Sequence, residues 1–169
     1  MNIVLIGMRG SGKTTVGRIL AKKLKREFVE MDELISQKAR LTIPEIVERY
    51  GWTKFREMEE EITGEVARLE NIVNAAGGGV VTTEKNICQL KENGILVWLK
   101  ASMDLLLNRI GQDTTRPPLV SGRTRQEDME ITFAEREPLY QKAAGLVVDT
   151  ENKTPEEVAE VIIDFLGGA

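Results

Sequence analysis

The chain has 169 residues, with 23 Lys+Arg against 27 Asp+Glu, a net charge of −4, one cysteine and no histidine. That length predicts one domain, since domains run about 100–200 residues. The lone cysteine excludes a disulfide framework and a cysteine-based zinc site, the missing histidine excludes imidazole bases and ligands, and the mild acidity argues against general binding to nucleic acid or anionic membranes.

Residues 3–6 form the first apolar run. It stops at Gly7, too short for a signal peptide or a membrane span, so a cytoplasmic protein is the expectation. Gly7-Met8-Arg9-Gly10-Ser11-Gly12-Lys13-Thr14 then matches G-x-x-x-x-G-K-[ST] in full, between a strand and a helix. Phosphate cradling needs that order. Glycines let backbone N–H groups turn inward, and a helix N-terminus adds partial positive charge. Lys13 supplies a full charge to the β- and γ-phosphates of a nucleotide, and Thr14 offers a hydroxyl to Mg²⁺. Val16, Ile19, Leu20 and Leu24 mark the helix, and Lys22, Lys23, Lys25 and Arg26 complement the dipole at its end.

A second run at 28–32 ends in Asp32, on the sheet edge where open parallel sheets bind ligands. A carboxylate there is suited to hold substrate hydroxyls and take a proton from one. A helix N-cap is the simpler alternative. Thr42 and Glu45 fit a capping box, with Pro44 in the first turn and Gly51 as a stop. Phe55, Met58, Ile62, Val66 and Leu69 then form one stripe on a long helix, where Arg56 is spaced to pair with Glu59.

The run at 72–76 leads into Gly77-Gly78-Gly79, which signals close backbone approach or φ > 0 turns. It lacks the acidic ending usual in motor and transport ATPases, and no Asn-Lys-x-Asp guanine signature occurs. A compact kinase with a small acceptor is favoured. Residues 84–93 read as a helix before Gly94, carrying Cys88 as an inert, partly buried thiol. A run at 95–99 and a short helix with Leu105, Leu106 and Arg109 follow.

Residues 112–126 hold Arg116, Pro117, Pro118, Gly122, Arg123 and Arg125 with few apolar anchors, the composition of a lid. Arg136 lies in Arg136-Glu137-Pro138-Leu139-Tyr140, where a surface ion pair is the simple alternative. After a last run at 146–148, Thr154, Pro155 and Glu157 supply N-cap, N1 and N3 of a helix ending near Gly167. The runs are mostly continuous rather than alternating, which predicts strands buried on both faces of a parallel sheet and an α/β fold.

The ordered set resembles shikimate kinase over essentially the whole chain. It comprises the phosphate loop, Phe28-Val29-Glu30-Met31-Asp32, Phe55-Arg56-x-x-Glu59, Gly77-Gly78-Gly79, Arg116-Pro117, Arg136-x-Pro138-Leu139-Tyr140 and Asp149-Thr150. The resemblance implies a P-loop NTPase fold of the nucleoside-monophosphate-kinase-like type. That fold is a five-stranded parallel sheet flanked by helices, here one domain over 1–169 with a lid at about 112–126. It implies transfer of the ATP γ-phosphoryl group to the 3-hydroxyl of shikimate, in aromatic amino-acid biosynthesis, with Mg²⁺. The expected protein is a cytoplasmic monomer that binds neither nucleic acid nor membrane.

The resemblance also implies roles. Gly10, Ser11, Gly12, Lys13, Thr14 and Thr15 surround the ATP phosphates, with Arg109 and Lys153 beside the adenine. Asp32 holds the acceptor hydroxyls and is the candidate base. Arg56 and Arg136 grip the carboxylate, and Gly77, Gly78 and Gly79 form the substrate loop. Arg116 is the lid arginine reaching the phosphates, catalytic together with Lys13 and Asp32. Thr14 binds the metal, with Glu30 acting through a water.

Two departures stand out. Glu30 occupies a position where the family commonly has Asp, and Arg116-Pro117-Pro118-Leu119 replaces the common Arg-Pro-Leu-Leu. The alternatives are another small P-loop kinase, of gluconate or nucleoside-monophosphate type, or a non-catalytic nucleotide-binding regulator. Arg56, Arg136 and Asp32 together favour a carboxylated polyol over a nucleotide base, and retention of Lys13, Thr14, Asp32 and Arg116 argues for catalysis.

Overall fold

The strand that precedes the phosphate loop, β1 (Asn2–Ile6), is buried along its whole length. In the computed structural model, which describes residues 1–110 and 122–168, it is the centre of a five-stranded sheet. Its companions are β2 (Glu27–Glu30), β3 (Ile72–Ala75), β4 (Gly94–Lys100) and β5 (Leu146–Asp149). The order is β2-β3-β1-β4-β5, all parallel, with Leu5 opposite Ala75 and Ile6 opposite Trp98.

The period-2 alternation of β1 divides the core between two faces. Ile3 and Leu5 pack with Val73, Val97 and Leu99 beneath α1 (Lys13–Leu24) and α7 (Pro155–Gly167), which contribute Val16, Leu20, Val158 and Ile162. Val4 and Ile6 face the other way, onto Ile35, Ile46, Phe55, Ile62, Leu90, Leu106 and Tyr140. Those residues come from α2 (Met31–Ala39), α3 (Ile43–Ala67), α4 (Glu84–Glu92), α5 (Met103–Ile110) and α6 (Arg125–Ala143). β1 lies between β3 and β4, where the strand order switches, and open parallel sheets bind ligands at the C-terminal edge of such a point.

Continuous burial holds for β1 and β3, but not for the edge strands. β2 and β5 each bury only one residue fully, Val29 and Val148, because each has a neighbouring strand on one side only. The run expected over 28–32 also ends early. β2 stops at Glu30, which pairs with the last residue of β3, and helix α2 begins at Met31 without an intervening loop. Asp32 therefore sits in the first turn of α2 rather than on a strand.

Gly51 breaks the helical backbone of α3 (φ 80°, ψ 171°), as a stop should, and helix continues beyond this kink to Ala67. The capping box forms: Thr42 Oγ1 accepts from Glu45 N and Thr42 N donates to Glu45 Oε2 at 2.7 Å. Phe55, Ile62 and Val66 of the expected stripe are buried, but Leu69 lies past the end of α3 and is 41% exposed. Cys88 is exposed, not partly buried.

One helix, α6, carries a start signal that the lid reading obscured. Thr124 and Glu127 form a capping box that starts α6 at Arg125, so the last residues assigned to the lid are helical. Pro138 lies inside α6, removing one rung of its hydrogen-bond ladder. Arg116 and the residues from 111 to 121 of the expected lid lie outside the described residues. Among the described residues no helix is long and apolar enough to cross a membrane.

Candidate active site

The phosphate loop is held by its own side chains. Gly10 (φ 82°) and Gly12 (φ 97°) adopt left-handed backbone that a side chain would strain, and a Cβ on Gly10 would lie 2.8 Å from Ile110. Lys13 Nζ donates to the carbonyls of Gly7 (2.7 Å) and Met8 (2.9 Å), which keeps the ammonium over the loop. Ser11 Oγ is buried with no hydrogen-bond partner among the described residues, a donor in the loop still able to meet an oxyanion. Thr14 Oγ1 donates to Glu30 Oε1 at 2.8 Å. That bond points the hydroxyl hydrogen at the carboxylate and leaves the lone pairs of Thr14 for a cation.

Arg109 reaches back from α5 to the loop, donating to Ser11 O at 3.2 Å and Gly10 O at 3.4 Å. It also lies 3.5 Å from Thr150 Oγ1, at the end of β5. A cleft of about 530 Å³ results, lined by Gly10, Ser11, Gly12, Lys13, Thr14, Thr15, Glu30, Asp32, Arg109 and Lys153 among others. The nucleotide-side residues expected from the sequence thus converge, apart from Arg116, which lies outside the described residues.

A second cavity, of about 350 Å³, lies beside the first. Trp52, Phe55, Arg56, Glu59, Gly77, Gly78, Gly79, Met129 and Arg136 are in its wall. The two cavities share Arg9, Asp32, Gly77 and Gly78. Asp32 thus stands where a donor in one would meet an acceptor in the other. The N-cap position of α2 is Glu30, so Asp32 is not spent on capping.

Of the two explanations for the triple glycine, close approach is the one adopted. None of Gly77, Gly78 and Gly79 has positive φ. A Cβ on Gly77 would lie 2.7 Å from Glu59 Oε2 and 3.1 Å from Asp32 Oδ1, and one on Gly78 would lie 3.3 Å from the Arg136 guanidinium. A Cβ on Gly79 would overlap the Arg56 guanidinium outright. The glycines let two arginines and two carboxylates crowd against backbone.

Arg56 does pair with Glu59, at 2.8 Å, but not on a solvated face. Glu59 is 1% exposed. Burial pushes its carboxyl above the usual range, while Arg56 pulls it back and Asp32 adds to the upward push. The Arg56 guanidinium also lies 5.3 Å from the Phe55 ring centroid and 5.6 Å from that of Trp52.

Arg136 is half-buried against the same cavity rather than in a surface ion pair. Burial lowers its pKa, the nearby Arg56 lowers it further, and the Tyr140 hydroxyl and Glu59 oppose the shift. A guanidinium keeps its proton in any case. Two mutually repelling guanidinium groups facing one cavity make a site that an anion stabilises.

Glu59 belonged to a sequence motif but had no assigned role, because its burial is a tertiary fact. Trp52 and Met129 carried no signal at all. Arg9, a free position in the loop pattern, could not be placed between the two cavities by spacing.

Known proteins resemble this chain along nearly its whole length. A family model described as shikimate kinase matches residues 9–167. A shikimate kinase of Thermodesulfovibrio yellowstonii is 43% identical over 162 residues, 96% of this chain and 92% of that protein. Among solved structures, the shikimate kinase of Acinetobacter baumannii in complex with shikimate superposes with a TM-score of 0.93 at 35% identity, covering 99% of this chain and 93% of that one. The shikimate kinase of Aquifex aeolicus gives 0.86 at 34% identity, covering 99% and 97%. Likeness of this extent takes in both cavities and the elements that frame them, and the chain belongs to the shikimate kinase family.

Proposed function

We propose that the chain transfers the γ-phosphoryl group of ATP to the 3-hydroxyl of shikimate, giving shikimate 3-phosphate. The observation that carries this reading is the meeting of the two cavities at Asp32: a phosphate cradle on one side, and on the other a smaller chamber with two guanidinium groups. The larger cavity takes ATP, with its phosphates on the backbone and hydroxyls of Gly10 to Thr15 and its base beside Arg109 and Lys153. The smaller takes shikimate, its carboxylate on Arg56 and Arg136 and its ring against Gly77, Gly78 and Gly79. A planar carboxylate suits guanidinium forks better than ammonium groups.

Asp32 then orients the attacking hydroxyl and accepts its proton. Lys13 steadies the β- and γ-phosphates, and Arg116 closes from the lid to stabilise the transferring group. If Arg116 acts as an arginine finger, its contribution is on the order of 10³–10⁵ in rate. Lid closure also keeps water, the competing acceptor, away. Phosphoryl transfer asks for alignment and charge rather than covalent catalysis, so a chain without histidine is adequate to it.

The donor set fits Mg²⁺. Among the described residues there is no cluster of three acidic side chains to cage an ion. Mg²⁺ characteristically takes one or two protein ligands and completes its shell with phosphate oxygens and waters. Thr14 would hold it directly and Glu30 through a water. When bound, it neutralises charge on the β- and γ-oxygens. The single-domain organisation over 1–169, the lid at about 112–126, a monomeric state, a cytoplasmic location, and the lack of nucleic-acid or membrane binding belong to the same proposal. The acidic net charge supports the last of these.

A coupled assay with shikimate, gluconate and nucleoside monophosphates tests the reading. Turnover is expected with shikimate; turnover confined to the other acceptors, or ATP binding with no phosphorylated acceptor, overturns it. A narrower test uses Gly79→Ala. The added methyl must displace the Arg56 guanidinium. Misplacement of about 1 Å in a positioning group costs about 10²-fold, so kcat/KM for shikimate is expected to fall by roughly that factor. Calorimetric ATP affinity should stay within about twofold, because the cradle is untouched.

A further inference from the structure

The smaller cavity carries more positive charge than the proposed acceptor uses. Among the described residues, five arginines line it against three carboxylates. The protein as a whole has a net charge of −4. Part of that acidic excess lies in a shallow groove between α3 and α4, where four glutamates outnumber Arg68 and Lys85. The groove shares no residue with the cavity. An anion therefore approaches an acidic molecule with a cationic hollow. Arg56 and Arg136 meet the acceptor carboxylate in the proposed reading, and Arg9 also lines the phosphate side. Arg123 and Arg125 have no task in it.

Neither residue serves the helix it adjoins. Thr124 caps α6, so Arg125 is its first helical residue and Arg123 stands just ahead of the cap. Both cations occupy the positive end of the helix dipole, where acids are the favourable choice. Glu127 and Asp128 follow that preference in the same turn. Arg123 Nη1 lies 3.8 Å from Asp128 Oδ1, too far for a hydrogen bond. Residues that break a local preference are expected at functional sites. Arg125 is exposed and the Arg123 side chain is 32% exposed, which places both on the solvent side of the cavity wall.

We propose that Arg123 and Arg125 steer the anionic acceptor into the smaller cavity, raising its rate of capture rather than holding it once bound. A carboxylate has two oxygens, and the Arg56 and Arg136 forks suffice to match them. Charges on the solvent side act before contact. They raise the local concentration of the incoming anion, and the low-dielectric walls of a cleft focus their field. Rim charges of this kind show in the on-rate and its salt dependence, whereas charges that grip show in the off-rate. Steering asks for charge alone, so lysine should replace arginine here, as it cannot in a bidentate fork.

This inference rests on the proposed reading of the smaller cavity. Trp52 in the cavity wall supplies an intrinsic fluorescence signal for shikimate binding by stopped flow, with calorimetry as the equilibrium check. No binding by either measurement overturns the reading and the inference together. With binding established, wild-type kon should fall about threefold or more between about 10 mM and about 100 mM salt, as the Debye length shrinks from about 30 Å to about 10 Å. Arg123→Gln combined with Arg125→Gln should lower kon about fivefold at the lower salt and flatten its salt dependence, with koff within about twofold of wild type. Arg123→Lys combined with Arg125→Lys should keep kon within about twofold of wild type.

A salt-independent wild-type kon overturns the proposal while leaving the reading of the cavity intact. So does an unchanged kon in the glutamine pair. A rise in koff with kon intact would make the two arginines part of the grip. An equal loss of kon in the glutamine and lysine pairs would assign them to shape rather than charge. Circular dichroism is expected to show both pairs folded, and an unfolded glutamine pair would assign the arginines to stability; each of these outcomes overturns the steering role.

Discussion

Replacing Asp32 by alanine is expected to lower kcat for shikimate by about 10²–10⁴-fold while ATP still binds. Asp32 lines both cavities, which is where the proposed reaction would bring the acceptor hydroxyl and the phosphoryl group together. It reaches that point because β2 ends at Glu30 and α2 starts at once, turning the carboxylate toward Gly77, where no side chain intervenes. In the proposed reading ATP is held elsewhere, by the loop amides, Lys13 and Thr14, so its affinity measured by calorimetry should change little. Asp32→Asn separates two roles. An amide still accepts a hydrogen bond from the hydroxyl but is a poor base, so a much smaller loss in Asn than in Ala would assign Asp32 to orientation. Wild-type kcat in Asp32→Ala would remove both roles.

Arg136→Lys should raise the KM for shikimate about 10–100-fold, with the ATP KM as internal control. The reasoning starts from burial. Arg136 is half-buried and repelled by Arg56, so it sits where an anion is worth most. A guanidinium grips a carboxylate with two parallel N–H bonds. An ammonium is a point charge on a differently shaped stem and cannot form that fork. Loss of one charged hydrogen bond is worth about 1.5–3 kcal/mol, which gives the stated range. An unchanged shikimate KM would show that Arg136 does not grip the acceptor.

Local chemistry was legible in the sequence where a residue's role depends on near neighbours. The phosphate loop needs only its own glycines, Lys13 and Thr14, and the helix that Lys13 opens, so pattern and structure coincide. The caps at Thr42 and Thr154 are equally local, as a side chain three residues from its partner decides them. Strand cores were readable from apolar runs, except at β2 and β5, where being an edge strand depends on the order of the whole sheet. The helix start at Thr124 was also local, yet the surrounding arginines and prolines hid it behind a lid pattern.

Long-range facts behaved differently. Arg56 and Glu59 were correctly paired by spacing, but spacing predicted a solvated face and the pair is buried. Its surroundings include the glycines at 77 and 79, distant in sequence, which pack against it. Arg136 and Tyr140 lay in a motif whose plain reading was a surface ion pair. Only the packing of α6 against Trp98 and Gly78 turns one into a cavity wall and the other into a buried side chain bonded to the Gly78 carbonyl.

By itself, then, the sequence determined that this protein has an α/β fold with a phosphate cradle, and that any chemistry must run on carboxylates, guanidinium groups and backbone. Those follow from residue types and short-range spacing. The tertiary structure decided that two cavities meet at Asp32, that three glycines are there to make room rather than to turn, and that Arg56 is held by a buried carboxylate. The physical reason is that desolvation and close approach arise between residues far apart in the chain, and no local pattern encodes which of them the sheet order will bring together.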